Sequence, residues 1–362
     1  MRLLLFNLAT DAADPILGFT SRWIASLAAR VESVDVITMR AGLVDLPGNV
    51  RVYSIGKERG YTRGRRAAMF YRHLTHILRQ HRVDVAFSHM APIFTVMAGP
   101  VLRPRGIPVV TWYAHRQLTA TLRLAHHLSS RMVSINPASY PYRHDKLTCI
   151  GHGIDTTLFE PAEVAPAGPP LLLSVGRLSP IKDPLTLVRA VALLRERGHD
   201  VRCVLVGDAP ERDRAFARQL REDVRAMGLD GVVHFTGALP YEAVGHWYRR
   251  CFAHVNGSPA DHALDKAGLE AMACAKPSLS STLAFRETMG HRADHLIFRH
   301  GDPADLADKL MALLAFSPAE LAGIGRELRA RLVEMHDLEG VADKLLAVFA
   351  GAITPGRGGD GA

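Results

Sequence analysis

Cysteine is scarce and scattered in this chain. Cys149, Cys203, Cys251 and Cys274 are the only four in 362 residues, with no C-x-x-C pair and no histidine at zinc-type spacing. That excludes a disulfide framework and a zinc ribbon, and it predicts reduced thiols in a cytoplasmic protein. Long apolar runs are also missing. The start, Met-Arg-Leu-Leu-Leu-Phe-Asn, carries an apolar run of about five residues before polar sequence up to Asp11, which reads as a buried first strand and not as a signal peptide. No stretch of roughly 18 apolar residues occurs, so no transmembrane helix is expected. No Gly-x-Gly-x-x-Gly follows a strand-like run, which disfavours a nicotinamide-dependent dehydrogenase. No Asp-x-Asp follows such a run, and no His/Cys/carboxylate cluster has ligand spacing. The expectation is therefore a protein without a bound metal or cofactor.

What is present is globular and basic. Hydrophobic residues make up 48% and charged residues 22%, so a folded chain is expected throughout most of its length. The formal charge of +8 favours polyanionic partners: phosphorylated ligands, anionic lipid or nucleic acid. No nucleic-acid-binding motif supports the last of these. A chain of this length exceeds one ordinary core and predicts two domains.

Strand-like and helix-like stretches alternate. In the first half, strands are expected at 3–8, 34–39, 50–54, 83–88 and 107–112, with helices at 18–30 and 67–80. The segment 161–170 holds four prolines and reads as a linker. Alternation then restarts, with strands at 171–175, 201–206, 232–236, 253–256 and 278–282. Helices are expected at 184–196, 212–227 and 241–251, and from near Lys266. Such alternation implies parallel sheets covered on both faces. The predicted organisation is an α/β fold of two doubly wound domains facing across a cleft. The first covers 1–160 and the second 171–337, on either side of the 161–170 linker. A helix over 338–353 is expected to cross back to the first domain, and a disordered tail fills 354–362.

The chemistry concentrates after the linker. Leu-Leu-Leu-Ser-Val-Gly-Arg-Leu-Ser-Pro-Ile-Lys-Asp (171–183) puts Arg177 and Lys182 just past a buried strand, beside Gly176. A lone arginine there is ordinarily a surface charge. Paired with lysine, it suits a diphosphate: arginine binds phosphate through two donors and lysine acts as a point charge. Farther on, Leu-Asp-Lys-Ala-Gly-Leu-Glu-Ala-Met-Ala-Cys-Ala-Lys-Pro (264–277) sets Glu270 in the first turns of a mostly apolar helix. A carboxylate there needs a partner, and ribose hydroxyls are one. Amides at that helix start suit phosphate.

These segments, with Leu-Val-Gly-Asp (205–208), Val-x-Phe-x-Gly (233–237) and Gly-His-Gly-Ile-Asp-x-x-x-Phe (151–159), occur in a fixed order. In that order the chain resembles the family-4 retaining glycosyltransferases of GT-B fold, over nearly all of the second domain and the end of the first. The resemblance implies transfer of a sugar from a nucleoside-diphosphate donor to a hydroxyl acceptor, with retention and without metal. It assigns Arg177 and Lys182 to the diphosphate and to leaving-group stabilisation, and Glu270 to the ribose. Phe235, Thr236 and Gly237 fall where backbone holds the base, and Gly207 near the nucleotide. His115, in Trp-Tyr-Ala-His, matches a first-domain histidine that approaches the donor sugar. Gly18 lies in the first strand-to-helix loop, near phosphate or acceptor. UDP- or GDP-linked donors are expected over ADP-linked ones, and a glycan, lipid-linked or small-molecule acceptor.

One departure stands eight residues before Glu270. The family has a second glutamate there, and this chain has His262. Asp261 or Asp265 is a carboxylate that could replace it. Asp265, Lys266 and Ala267 occupy the donor-binding loop in place of a glycine-rich one. A nucleotide-sugar-binding protein without transfer activity is the alternative this departure raises. The basic stretch 57–82, with Lys57, Arg59, Arg63, Arg65, Arg66, Arg72, Arg79 and Arg82, reads first as a solvated face. Its sharper reading is peripheral contact with anionic lipid at the inner face of the plasma membrane.

Overall fold

The structure, a computed structural model, describes residues 1–162 and 168–354. Half of the expected linker (163–167) and the tail from 355 lie outside the described residues. The chain forms two compact units, one of Met1–Gly153 together with the segment from Leu338, the other of Ile154–Asp337.

The first unit alternates β1 (Arg2–Asn7), α1 (Phe19–Ala28), β2 (Ser33–Thr38), β3 (Val50–Ser54), α2 (Arg63–Gln80), β4 (Val85–His89) and α3 (Pro92–Leu102). It continues with β5 (Val109–Trp112), α4 (Ala120–Leu128), β6 (Arg131–Ser134) and β7 (Leu147–Cys149). The seven strands form one parallel sheet in the order β3-β2-β1-β4-β5-β6-β7. β1 and β4 are buried on both faces, which is why they read as near-continuous apolar runs and not as alternating ones. Phe6, Phe70 and Phe94 stack at centroid spacings of 5.4–5.8 Å and tie β1, α2 and α3 into one core. α2 begins four residues before the expected start at 67, because the Thr62 side chain caps it by accepting from the Arg65 amide. α3 and α4 are absent from the sequence reading. α3 is apolar nearly all round and carries Pro100 inside it, so it shows no helical period.

The second unit alternates β8 (Leu171–Val175), α5 (Pro184–Glu196), β9 (Arg202–Val206), α6 (Arg214–Ala226), β10 (Val233–Gly237), α7 (Val244–Arg250), β11 (Ala253–Asn256), α8 (Lys266–Ala273) and β12 (Ser278–Ser280). Helices α9 (Arg286–Met289), α10 (Ala293–Leu296), α11 (Pro303–Leu314) and α12 (Pro318–His336) complete it. Its five strands are parallel in the order β10-β9-β8-β11-β12. The final helix, α13 (Leu338–Ile353), packs in the first unit: Phe349 lies 5.4 Å from the Phe87 ring, and Arg30 pairs with Glu339 and Asp343.

The sequence border at 160 differs from the structural one at Gly153/Ile154. The Ile154 amide donates to the His336 carbonyl at 2.7 Å, the Thr156 hydroxyl to Asp337 at 2.5 Å, and Arg329 to the carbonyls of Thr156 and Phe159. These bonds hold 154–160 in the second unit.

In each sheet the strand order reverses once, between β1 and β4 in the first and between β8 and β11 in the second. The loops leaving the two strands at such a reversal diverge to opposite faces and leave a crevice at their carboxyl ends, where open α/β sheets bind ligands.

Candidate functional site

The carboxyl edge of the second sheet is built on close backbone approaches. Gly207 follows β9 with φ +133°, and a Cβ there would stand 1.9 Å from the Gly176 carbonyl oxygen. Only glycine lets the loop after β9 lie against the loop after β8. The Gly176 amide donates to Val206 and the Gly207 amide to Gly237, both at 2.9 Å, so the ends of β8, β9 and β10 are locked together. Gly257, just after β11, does the same on the other side: a Cβ would meet the Asp183 carbonyl at 2.7 Å. The β8 loop therefore crosses directly over the end of β11.

That loop carries Arg177 and Lys182. Arg177 is exposed and Lys182 half-buried, in a single turn of 3-10 helix, Pro180–Lys182. From across the reversal point, the loop after β11 brings Asp265. Lys182 Nζ donates to Asp265 Oδ2, while Asp265 Oδ1 caps α8 by accepting from the Ala267 amide at 3.3 Å. Burial by itself would raise the Asp265 pKa; Lys182, through its charge and its hydrogen bond, and the Ala267 amide outweigh burial and hold it below the ordinary carboxylate value. Lys266, the first residue of α8, is pushed down to about 8 by burial, against the pull of Glu270 and Asp155. His262 is half-buried, its amide donating to the Pro259 carbonyl at 2.9 Å.

Glu270 lies on α8 and is only 4% exposed. Both its oxygens accept phenol hydrogen bonds at 2.9 Å, Oε1 from Tyr241 and Oε2 from Tyr248. Burial raises its pKa, and Lys266 and the two hydroxyls pull it back. Phe159 packs edge-on against both tyrosine rings, at 5.4 and 5.6 Å. The Gly-Ile-Asp-x-x-x-Phe motif acts here: Asp155 accepts from the Thr157 and Leu158 amides, and the resulting turn aims Phe159 behind the pair that holds Glu270. A carboxylate has about four acceptor sites. Two remain on Glu270 after the tyrosines, enough for a vicinal diol.

β10 bears Phe235, Thr236 and Gly237. The ladder to β9 jumps between Phe235 and Gly237, leaving Thr236 as the extra residue of a bulge. Its backbone groups are thereby released from regular pairing. Arg221 sits 4.1 Å above the Phe235 ring. In the first unit, His115 follows β5, is exposed, and accepts the Gln117 amide on Nδ1 at 3.0 Å. Gly18 is buried, with φ −56°, and its amide donates to the Asp14 carbonyl at 2.9 Å. That bond ties Gly18 to the loop that precedes α1.

Arg177, Lys182, Asp265, Lys266 and Glu270 thus meet around one strand-order reversal. Sequence reasoning missed Tyr241 and Tyr248, which lie 29 and 22 residues before the carboxylate they hold. It also missed the direct Lys182–Asp265 pair and Asn256, the last residue of β11. The polar Asn256-Gly257-Ser258 run at the carboxyl end of β11 was the available signal. Among the described residues, no group of three or more His, Cys, Asp or Glu side chains has the arrangement to hold a metal ion.

Residues 169–315 match the family model described as Glycosyl transferases group 1. Curated relatives include the D-inositol 3-phosphate glycosyltransferase of Stackebrandtia nassauensis, 30% identical over 227 residues, covering 58% of this chain and 49% of that protein. The protein of the same description from Thermomonospora curvata is 27% identical over 275 residues, 70% of this chain and 61% of that one. The chain thus spans about half to three-fifths of the length of these relatives. Among solved structures, Anabaena Alr3699/HepE in complex with UDP and glucose aligns with a TM-score of 0.77 at 17% identity, over 97% of this chain and 99% of that one. Sucrose-phosphate synthase from Thermosynechococcus elongatus aligns with a TM-score of 0.77 at 18% identity, over 97% and 98%. These likenesses establish the fold: two doubly wound parallel-sheet domains, the architecture called GT-B.

Proposed function

We propose that this protein is a glycosyltransferase that moves a sugar from a nucleoside-diphosphate donor to a hydroxyl acceptor. The observation that carries the reading is the meeting of Arg177 and Lys182 with Glu270 around the β8/β11 reversal, inside the segment that matches the group 1 model. The buried Glu270, set by two tyrosine hydroxyls, presents its remaining lone pairs to the ribose hydroxyls. The bulge at Thr236 offers backbone donors and acceptors to the base, with UDP or GDP favoured over ADP. Arg177 and Lys182 take the diphosphate.

The reaction asks these cations to stabilise charge that appears only as the anomeric C–O bond breaks. In the family-4 mechanism that the motifs suggest, the acceptor hydroxyl enters on the face the diphosphate leaves. Its proton passes to a phosphate oxygen, the new C–O bond forms on that face, and configuration is retained. Two cations neutralise the leaving group in this reading, so no metal is required of the protein. His115 is assigned to the donor sugar and the first unit to the acceptor, a glycan, lipid-linked or small molecule. The acceptor region draws on the basic stretch 57–82. Arg63, Arg65 and Arg66 all fall in the first turn of α2, which has no acidic residue, although a helix N-terminus disfavours cations. Such a cluster is suited to an anionic surface, and the proposal extends to peripheral contact with acidic lipid from the cytoplasmic side. Among the described residues no helix is long and apolar enough to cross a membrane.

Arg177→Ala tests the assignment. Losing one donor to a developing oxyanion costs roughly 10²–10³ in kcat. Near-wild-type turnover of Arg177→Ala, once a donor has been found by thermal shift against UDP, GDP, ADP and their sugars, would refute it. His262 in place of the family glutamate favours a second reading, binding without transfer. Incubation with a binding donor separates the two, since slow release of free nucleoside diphosphate marks the enzyme.

A further inference from the structure

Asn256 ends β11 at the strand-order reversal. It is 5% exposed and lines a small hollow with Ser174, Gly176, Arg177 and Lys182. Its Oδ1 accepts the Ser258 amide at 3.1 Å. That bond fixes the orientation of the side-chain amide, because the reversed orientation would point an NH2 group at an N–H donor. Nδ2 is thereby turned away from Ser258. Among the described residues it has no hydrogen-bond partner.

An unmet donor at this depth is costly, and native proteins seldom leave one without a reason. The other polar groups lining the hollow limit what the partner can be. Arg177 and Lys182 are cations, Ser174 carries a hydroxyl, and Asn256 adds two neutral N–H bonds. Four donor side chains lining one concavity, with no acidic side chain among the lining residues, fit an anionic oxygen. The close packing of Gly257 under the Asp183 carbonyl explains how the β8 loop comes to lie over Asn256. The β11 residue that would ordinarily be an apolar strand end is thereby brought beneath the two cations.

Building on the nucleotide-sugar reading, the geometry points to Asn256 as a binding residue for the distal phosphate of the donor, with Nδ2 donating to the oxygen that Arg177 and Lys182 also hold. It supplies directionality that point charges lack. It also separates diphosphates from monophosphates, because the hollow is lined by both cations and not by the ribose carboxylate Glu270.

Titration calorimetry of the full chain with UDP, UMP, GDP and GMP tests this. The wild type should prefer the diphosphate. Asn256→Asp keeps the Oδ1 bond to Ser258 and replaces the donor by a negative acceptor. It should weaken the diphosphate by more than about 100-fold while changing the monophosphate by less than about threefold. Asn256→Ala introduces no charge and should cost about 10- to 100-fold for the diphosphate, so it decides the matter if the aspartate variant does not fold. Equal diphosphate affinity in a folded variant overturns the role of Asn256 and leaves the nucleotide-sugar reading intact. A parallel loss for mono- and diphosphate also overturns it, because a merely structural residue behaves that way. If the wild type binds none of the four, the nucleotide-sugar reading itself falls.

Discussion

Replacing Asp265 by asparagine should make this protein bind nucleoside diphosphates more tightly. The Asp265 carboxylate holds Lys182 Nζ through one oxygen and the Ala267 amide of α8 through the other. Both are donors of the kind a phosphate uses, so on the proposed reading the carboxylate and a diphosphate compete for them. A donor diphosphate that recruits Lys182 must first break this pair. The two side chains are 18% and 17% exposed, between the surface and buried limits. Exposed pairs are worth about 0–1 kcal/mol, and breaking a buried pair costs about 3–5 kcal/mol. An intermediate cost of about 1.4–2 kcal/mol corresponds to roughly 10- to 30-fold in affinity. Asparagine retains a carbonyl oxygen for the Ala267 amide, so the cap survives and only the charge is lost. The assay is calorimetric titration of UDP and GDP into wild type and Asp265→Asn at low and high salt. The gain should shrink as salt rises, since Lys182 is partly exposed. Equal or weaker binding by a folded Asp265→Asn protein refutes the reasoning and leaves Asp265 as a ligand contact in its own right.

Two further outcomes concern a buried histidine and a close backbone approach in the second unit. His254 is 1% exposed and burial pushes its pKa down from 6.5 to about 4. As pH falls below 6.5 the unfolded chain takes up this proton first, so stability should decline between about pH 6.5 and 4, by up to about 3 kcal/mol. Chemical denaturation across that range should show a flatter profile for His254→Gln, and an unchanged slope would contradict the assignment. Gly207→Ala forces a Cβ to within 1.9 Å of the Gly176 oxygen at φ +133°. It should cost about 2–3 kcal/mol and lower the melting temperature. Gly323→Ala, on the open side of α12, has no such contact and should be neutral or slightly stabilising.

The fold was legible where burial leaves a plain pattern. Strands such as β8 and β9 are short, largely apolar runs followed by glycine, and α5 opens on proline and ends before Arg197-Gly198. α3 escaped because an apolar helix has no polar face to mark its period. Of the site, Arg177, Lys182 and Glu270 were legible because charge beside glycine, and charge within an apolar helix, are locally anomalous. Tyr241 and Tyr248 were not, since tyrosine in an amphipathic segment reads as core and nothing local records a partner more than 20 residues away.

The sequence by itself determined two alternating α/β halves, a basic chain and the residue types that suit a diphosphate and a ribose, because periodicity and local composition are properties of neighbours in the chain. The tertiary structure decided which donors are already occupied. Lys182 meets Asp265 across 83 residues, and Asn256 lies under the β8 loop with its amide unmet. Those facts depend on the strand order β10-β9-β8-β11-β12, which sets β8 against β11 and brings their diverging loops together. Strand order is fixed by packing over the whole sheet, and no short stretch of sequence carries it.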